Sequence, residues 1–246
     1  MKKSLFILLI LISFKGNAIE KYPEWFIYPQ LYPELITGFC IRDNMPVTDA
    51  EIMYCLYQQC HVTGYLETIE TTYVKYLKNS EYYYVYSKQC LENIKEKLHH
   101  IDGFCNDVLS NAYVFAFSVN TDYKLKQKYL LTENLKKPDW LGKSVWEEGG
   151  FYYSVGMFTS IGNENDAWKT SEENAMFNII TSVAVNVFSL VRIEESSENL
   201  SKYINYVRID VDFELKNIET LERWPDIENQ YYYTLVRIKK SDITEL

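Results

Sequence analysis

The sequence predicts an α+β fold of two tandem units, each a small antiparallel sheet with one helix packed on a face in the order strand, helix, strand, strand. Three observations predict it. A set of landmarks recurs in the same order in the two halves of the 246-residue chain. Val207, Ile209, Val211, Phe213 and Leu215 alternate with Arg208, Asp210, Asp212 and Glu214, the period of a half-buried strand. Stripes of helical period open after Asp49, through Ile52, Met53, Leu56 and Cys60, and after Asp166, through Ala167, Met176, Phe177, Ile179 and Ile180.

The first element is a leader over residues 1–18. Lys2 and Lys3 precede the apolar run Leu5 to Ile12, and Gly16-Asn17-Ala18 ends in small residues, the layout of a secretory signal peptide with cleavage near Ile19. An uncleaved anchor is the alternative. The run is short of the roughly 20 residues that cross a bilayer as a helix, and no later stretch is apolar for longer. No Cys follows it to carry an acyl anchor.

The first unit, residues 19–120, carries Pro23-Glu24-Trp25, a short strand around Ile36-Thr37-Gly38-Phe39, a helix from about Asp49, and a final strand Ala112 to Phe117 behind Asp107. A polar, Lys-rich linker is expected over 121–137, with Tyr129-Leu130-Leu131 as a docking point. The second unit, 138–246, repeats the landmarks as Pro138-Asp139-Trp140, Ser154-Val155-Gly156-Met157, Asn165-Asp166-Ala167, and Asp226 followed by Tyr231 to Val236. Matched positions are 115, 118, 117 and 119 residues apart, too steady for chance. Asp49 and Asp166 are expected to cap their helices, the second running to about Ser182. Val183, Val185 and Val187 are expected to start another strand.

Composition narrows the function. Acidic residues number 34 against 25 basic ones, so the net charge is -9, and loss of the leader with its three lysines makes it -12. That excess argues against nucleic acid as a partner, because a nucleic-acid groove needs basic residues to displace counterions. Three His and nine Gly leave few parts for metal chemistry or phosphate loops, and no cofactor is expected. Neither a Gly-x-Ser-x-Gly elbow nor a Cys-x-x-Cys pair occurs. The acid pairs Glu172-Glu173 and Glu194-Glu195 are read as solvated faces, since glycosidase carboxylates must face one another across a cleft. No catalytic residue is expected.

Export permits disulfides, and Cys40, Cys55, Cys60, Cys90 and Cys105 are the candidates. Their connectivity stays open, with small buried hydrophobes as the alternative reading. Cys55 and Cys60 are poorly spaced for a bond on one helix. Trp25 and Trp140 are expected to close the ends of small cores, and Gly38 and Gly156 to allow a bulge or a close helix approach. Trp224 and Asp226 are expected in a hairpin loop, with Asp226 closing the turn.

The 22 tyrosines are the largest surplus. If Tyr82-Tyr83-Tyr84 and Tyr231-Tyr232-Tyr233 lie in strands, each triplet turns at least one ring away from the core. Outward tyrosines offer large contact area with a polar tip, which suits a protein interface. Sugar stacking and ordinary cross-strand pairing are the alternatives.

The landmarks of the second unit, with Tyr153-Ser154-Val155-Gly156, Ala175, Glu222-Arg223-Trp224-Pro225-Asp226 and Tyr231 to Arg237, resemble the Lpp-twenty lipoprotein family. That family is similar to flagellar assembly protein P and to the N-terminal domain of flagellar assembly protein T. The resemblance covers about Pro138 to Lys240, and the first unit is a more divergent copy. It implies a compact α+β domain of the Gram-negative envelope without a catalytic centre, whose partners are envelope, outer-membrane or flagellar-motor proteins or further copies of itself. The chain departs from it in lacking the lipidated Cys and in carrying two units. The expected function is therefore that of an exported, non-enzymatic interaction protein, periplasmic or secreted. A glycan- or peptidoglycan-binding module and a secreted effector are the alternatives.

Overall fold

The structure, a computed structural model, describes residues 21–40, 45–70, 75–106, 112–126, 128–159, 163–195 and 205–246. The expected leader and Asp107 lie outside them. In chain order the elements are β1 (Lys21–Pro23), α1 (Glu24–Ile27), β2 (Ile36–Phe39), α2 (Pro46–Gln58), β3 (Gln59–Glu70), β4 (Lys75–Tyr86), α3 (Lys88–Ile94), β5 (His99–Asn106) and β6 (Ala112–Ser118). There follow β7 (Tyr129–Leu131), β8 (Val145–Glu148), β9 (Phe151–Thr159), α4 (Glu164–Glu195), β10 (Asn205–Lys216), β11 (Glu219–Asp226), β12 (Tyr231–Lys239) and β13 (Ile243–Glu245). The class is α+β, with antiparallel sheets.

The alternating sequence of β10 builds the centre. Val207, Ile209, Val211, Phe213 and Leu215 are all buried, while Arg208, Asp210 and Asp212 face solvent. Along its whole length β10 pairs with β3, from Gln59 opposite Lys216 to Glu70 opposite Asn205. The central sheet has the order β13-β10-β3-β4, so the two halves of the chain share it. Met53 and Leu56 of α2, with Met176, Ile179, Ile180 and Ala184 of α4, share one core with its inner face.

Two outer sheets carry matching order and register. One is β2-β6-β5, and the other, β9-β12-β11, gains β8 on the far side of β9. Gly38 stands opposite Phe115, and Gly156 opposite Thr234. The ladder shifts by one residue at Ile101 in β5 and at Leu221 in β11. The residue after each shift accepts an indole N–H: Trp25 Nε1 donates to Asp102 Oδ2 at 2.8 Å, and Trp140 Nε1 to Glu222 Oε2 at 2.9 Å. Both indoles are buried.

Several expectations need correction. The contacts of the two glycines pair Ala50 with Ala175, not with Ala167. A Cβ on Gly38 would lie 2.2 Å from Pro46 O and 3.0 Å from Ala50 Cβ, and one on Gly156 would lie 1.8 Å from Ser171 O and 3.0 Å from Ala175 Cβ. Helix α4 thus begins about two turns earlier than its counterpart, an extension that landmark spacing cannot reveal. Neither Asp49 nor Asp166 is a cap. Pro46 starts α2, where its missing N–H costs no helical bond, and Asn163 Oδ1 accepts the Asn165 amide at 2.9 Å ahead of Asp166. Val183, Val185 and Val187 continue α4 rather than starting a strand, because Met176, Ile179, Ile180 and Ala184 keep the helical period of burial. Cys60 has left the helix and lies in β3. The segment expected as a linker docks at Tyr129–Leu131, the point expected for it, and also beyond: Leu130 sits opposite Tyr22 in the β1–β7 pair, and Leu125, Leu130 and Leu135 pack on the core around Trp25. Trp224 and Pro225 belong to β11 and not to the loop. Proline is tolerated there because β11 is an edge strand.

Cys55 of α2 is bonded to Cys90 of α3, 35 residues on. Closing a loop of that length contributes about 3 to 4 kcal/mol in the chain-entropy account. Among the described residues no helix is long and apolar enough to cross a membrane.

Gly156→Ala pushes a methyl group into the backbone of α4, where no side chain can move aside. We expect a loss of about 3 kcal/mol in urea denaturation. An unchanged midpoint would show that α4 does not need this approach.

Candidate functional site

A cleft of about 370 Å³ opens between the halves. Its walls come from the segment around Pro29 to Thr37, from α2, and from the outer edge of β11. Met53, Tyr54 and Tyr57 line it, Tyr57 lying four residues on from Met53 and three from Tyr54 on α2. Tyr32, Leu35 and Ile218 add apolar surface.

Glu172 and Arg223 line the cleft as a buried ion pair, with side chains only 2% exposed. Arg223 Nε donates to Glu172 Oε1 at 2.8 Å, Nη2 donates to the same oxygen, and Nη1 donates to Phe26 O at 2.7 Å. The guanidinium also stacks 4.5 Å from the centre of the Phe26 ring. The second carboxylate oxygen accepts from Tyr57 Oη, to which Thr220 Oγ1 donates at 3.2 Å. Burial first, then the neighbouring Glu172 carboxylate, holds the Tyr57 phenol well above its ordinary pKa. The Tyr32 phenol is pushed up to about 12 by burial and by its bond to Glu24. Arg223 and Glu172 are spent on each other, and the second carboxylate that lines the cleft, Glu219, accepts from Arg237 at its rim.

The extended N-terminal turns of α4 tie the halves together beside the cleft. Asn165 Nδ2 donates to Cys40 O at 2.7 Å and to Tyr113 O at 3.1 Å. Tyr22 Oη and Trp168 Nε1 both donate to Glu164 Oε1. Asp49 accepts from Phe39 N at 2.9 Å and from Lys169 Nζ at 2.5 Å.

Among the described residues no strand pairs with the outer side of β2. Cys40 N donates to Tyr113 O at 3.0 Å, which turns the backbone of residues 36, 38 and 40 toward β6 and that of Thr37 and Phe39 away from it. Asp49 takes the Phe39 amide. Thr37, a cleft residue, presents its amide and carbonyl outward. At the matching position of the second half, Val155 N donates to Ser144 O at 2.9 Å, and β8 covers the edge.

The residues singled out from sequence lie elsewhere. Tyr82 and Tyr84 turn inward, with Tyr82 stacked on Phe177 at 4.2 Å, and Tyr83 points outward at 58% exposed. Tyr232 is buried against Trp168 and has no surface to offer a partner, because it stands on the inward phase of β12. Tyr231 and Tyr233 are half-buried, Tyr233 against Trp224. The Asp226 side chain closes its turn by accepting from the Asn229 amide at 3.2 Å. Cys60 is a buried thiol pushed up to about 12 by burial, Cys40 is half-buried and Cys105 exposed. Among the described residues no group of three or more His, Cys, Asp and Glu side chains is placed to hold a metal.

Glu172 overturns the reading of its acid pair as a solvated face. The signal was present: Glu172 falls on the buried stripe of Trp168, Ala175 and Met176, and Arg223 on the inward phase shared with Leu221. Charges on the inward phases of two elements call for each other. No family model, no curated protein and no solved structure matches the chain.

Glu172→Gln leaves Arg223 buried without its counter-charge, and we expect about 3 to 5 kcal/mol lost in urea denaturation. The double variant Glu172→Met/Arg223→Met should recover part of that loss. Burial raises the Glu222 carboxyl above its ordinary pKa, against the lowering bond from Trp140. A raised acid binds its proton more tightly when folded, so it favours folding at low pH and costs stability as pH climbs from the ordinary carboxylate range through the raised value. Glu222→Gln should flatten that part of the stability profile, read by thermal melts from pH 4 to 8. An unaltered profile would exonerate Glu222.

Proposed function

We propose that the chain is an exported, non-enzymatic interaction protein of a bacterial cell envelope, related to the Lpp-twenty family by the landmarks around Trp140, Gly156 and Trp224. The observation that carries this reading is the cleft, where Arg223 and Glu172 satisfy each other and two phenols sit above their ordinary range. A general acid or base needs a pKa near the working pH. An aromatic-walled cleft whose charged groups are each paired suits holding a partner better than transforming a substrate.

Other features support the same reading. The Cys55–Cys90 bond suits an oxidising compartment and agrees with the basic, apolar leader. Tyr83 and Val85, both more than half exposed, stand on β4, which is an edge strand of the central sheet among the described residues. Partners are sought among envelope and flagellar-motor proteins, with self-association as the simplest case.

In-cell crosslinking of the tagged full chain, followed by purification, should recover a defined envelope protein or a second copy. Recovery of neither, together with sedimentation of the purified protein with cell walls, would replace this reading with a glycan-binding one.

A further inference from the structure

We infer that the cleft is the seat of one bulky aromatic side chain, carried on an exposed peptide segment of a partner protein. This names the chemistry of the partner in the interaction reading above and rests on that reading.

The polar groups inside the cleft decide against other classes of occupant. Tyr57 Oη donates to Glu172 and accepts from Thr220, Tyr32 Oη donates to Glu24 Oε2 at 2.6 Å, and Asn217 Nδ2 donates to Asp242 Oδ2 at 3.1 Å. Glu172 and Glu219 are occupied by Arg223 and Arg237. A saccharide buries several hydroxyls, and against walls whose hydrogen bonds are already made it gives up water without replacement. A charged ligand meets a larger cost, since every charged residue among the described lining is already paired. An apolar group loses no hydrogen bond on entry, and the surface it covers is apolar: Pro29, Pro33, Leu35, Ile36, Met53 and Ile218.

Size and lining favour a ring. A dry protein cavity of about 150 Å³ holds a benzene molecule, and the cleft, at about 370 Å³, has room for an indole. Tyr32, Tyr54 and Tyr57 supply ring faces and edges and Met53 a polarizable sulfur, contacts that an aromatic guest gains beyond the area it buries. At the mouth the chemistry changes. Gln30 and Gln58 are exposed, and among the described residues neither carboxamide has a hydrogen-bond partner, nor has the Tyr54 hydroxyl. A carboxamide both donates and accepts, which is what the N–H and C=O groups flanking a seated side chain require. An apolar floor under an amide rim is thus the complement of an amino-acid residue within a chain.

The test titrates the purified protein with N-acetyl-tryptophanamide and follows backbone amide shifts by NMR. Saturable shifts are expected at Thr37, Tyr54 and Ile218, with N-acetyl-leucinamide binding several-fold and N-acetyl-glycinamide at least about tenfold more weakly. Tyr54→Ala should weaken the tryptophan amide about tenfold. Gln58→Ala, at the exposed rim, should weaken it about threefold and leave the binding of free indole unchanged. Asp210→Asn, on the solvent face of β10, should alter neither. Circular dichroism checks that each variant is folded. Absence of saturable shifts in the cleft, glycine amide binding as well as tryptophan amide, or affinity indifferent to Tyr54→Ala or to Gln58→Ala overturns the inference. So does tighter binding of diacetylchitobiose at the same amides, which would mark a glycan site. Repeating the in-cell crosslinking with Tyr54→Ala separates the two claims. Undiminished recovery of a partner defeats only the aromatic seat, while recovery of no partner from either chain defeats the interaction reading itself.

Discussion

The twelve-residue ladder between β3 and β10 is the interaction on which the rest of the architecture depends. It joins the two halves into one sheet, and by doing so places α2 and α4 over a common apolar face. Each half alone would leave that face half covered. With the ladder formed, residues far apart in sequence meet: Glu172 with Arg223, Tyr57 with Glu172, Asn165 with Cys40. The cleft is the space left where the halves meet but do not close, bounded by one outer-sheet edge from each.

The halves are alike in their outer sheets and unlike in what they do with the edges. Strand order, register, one-residue shift and indole-to-carboxylate bond recur. The differences are a longer α4, whose first turns reach into the other half, and the strand β8, which among the described residues has no counterpart beside β2. Both change burial. The α4 extension brings Glu164, Asn165 and Trp168 into the first half's core, where each finds a partner. Thr37, the residue of β2 that matches Val155, lines the cleft. Buried charge is paired across the halves as well as within one: Asp49 accepts from Lys169, and Glu172 accepts from Tyr57 as well as from Arg223.

Much of the fold was legible from particular residues. The Val207 to Leu215 alternation identifies β10 because a strand turns successive side chains to opposite faces. Gly38 and Gly156 signal a close approach, and the backbones of α2 and α4 are what approach them. Misreadings came where local pattern competes with context. Val183, Val185 and Val187 have the composition of a strand, yet the buried stripe from Met176 to Ala184 keeps them helical. Glu172 looks like half of a solvated acid pair until its helical phase is compared with that of Trp168 and Met176.

By itself the sequence determined the α+β class, the alternating strand at the centre and the order of landmarks in the halves, because these follow from periodicity and local backbone preference. Only the tertiary structure decided that β3 and β10 share a sheet, that Cys55 bonds Cys90, that Arg223 meets Glu172, and that Asn165 reaches the Cys40 carbonyl. Each of those is a pairing between distant segments, and pairing depends on which buried surfaces and unsatisfied polar groups meet in space, information that no local pattern carries.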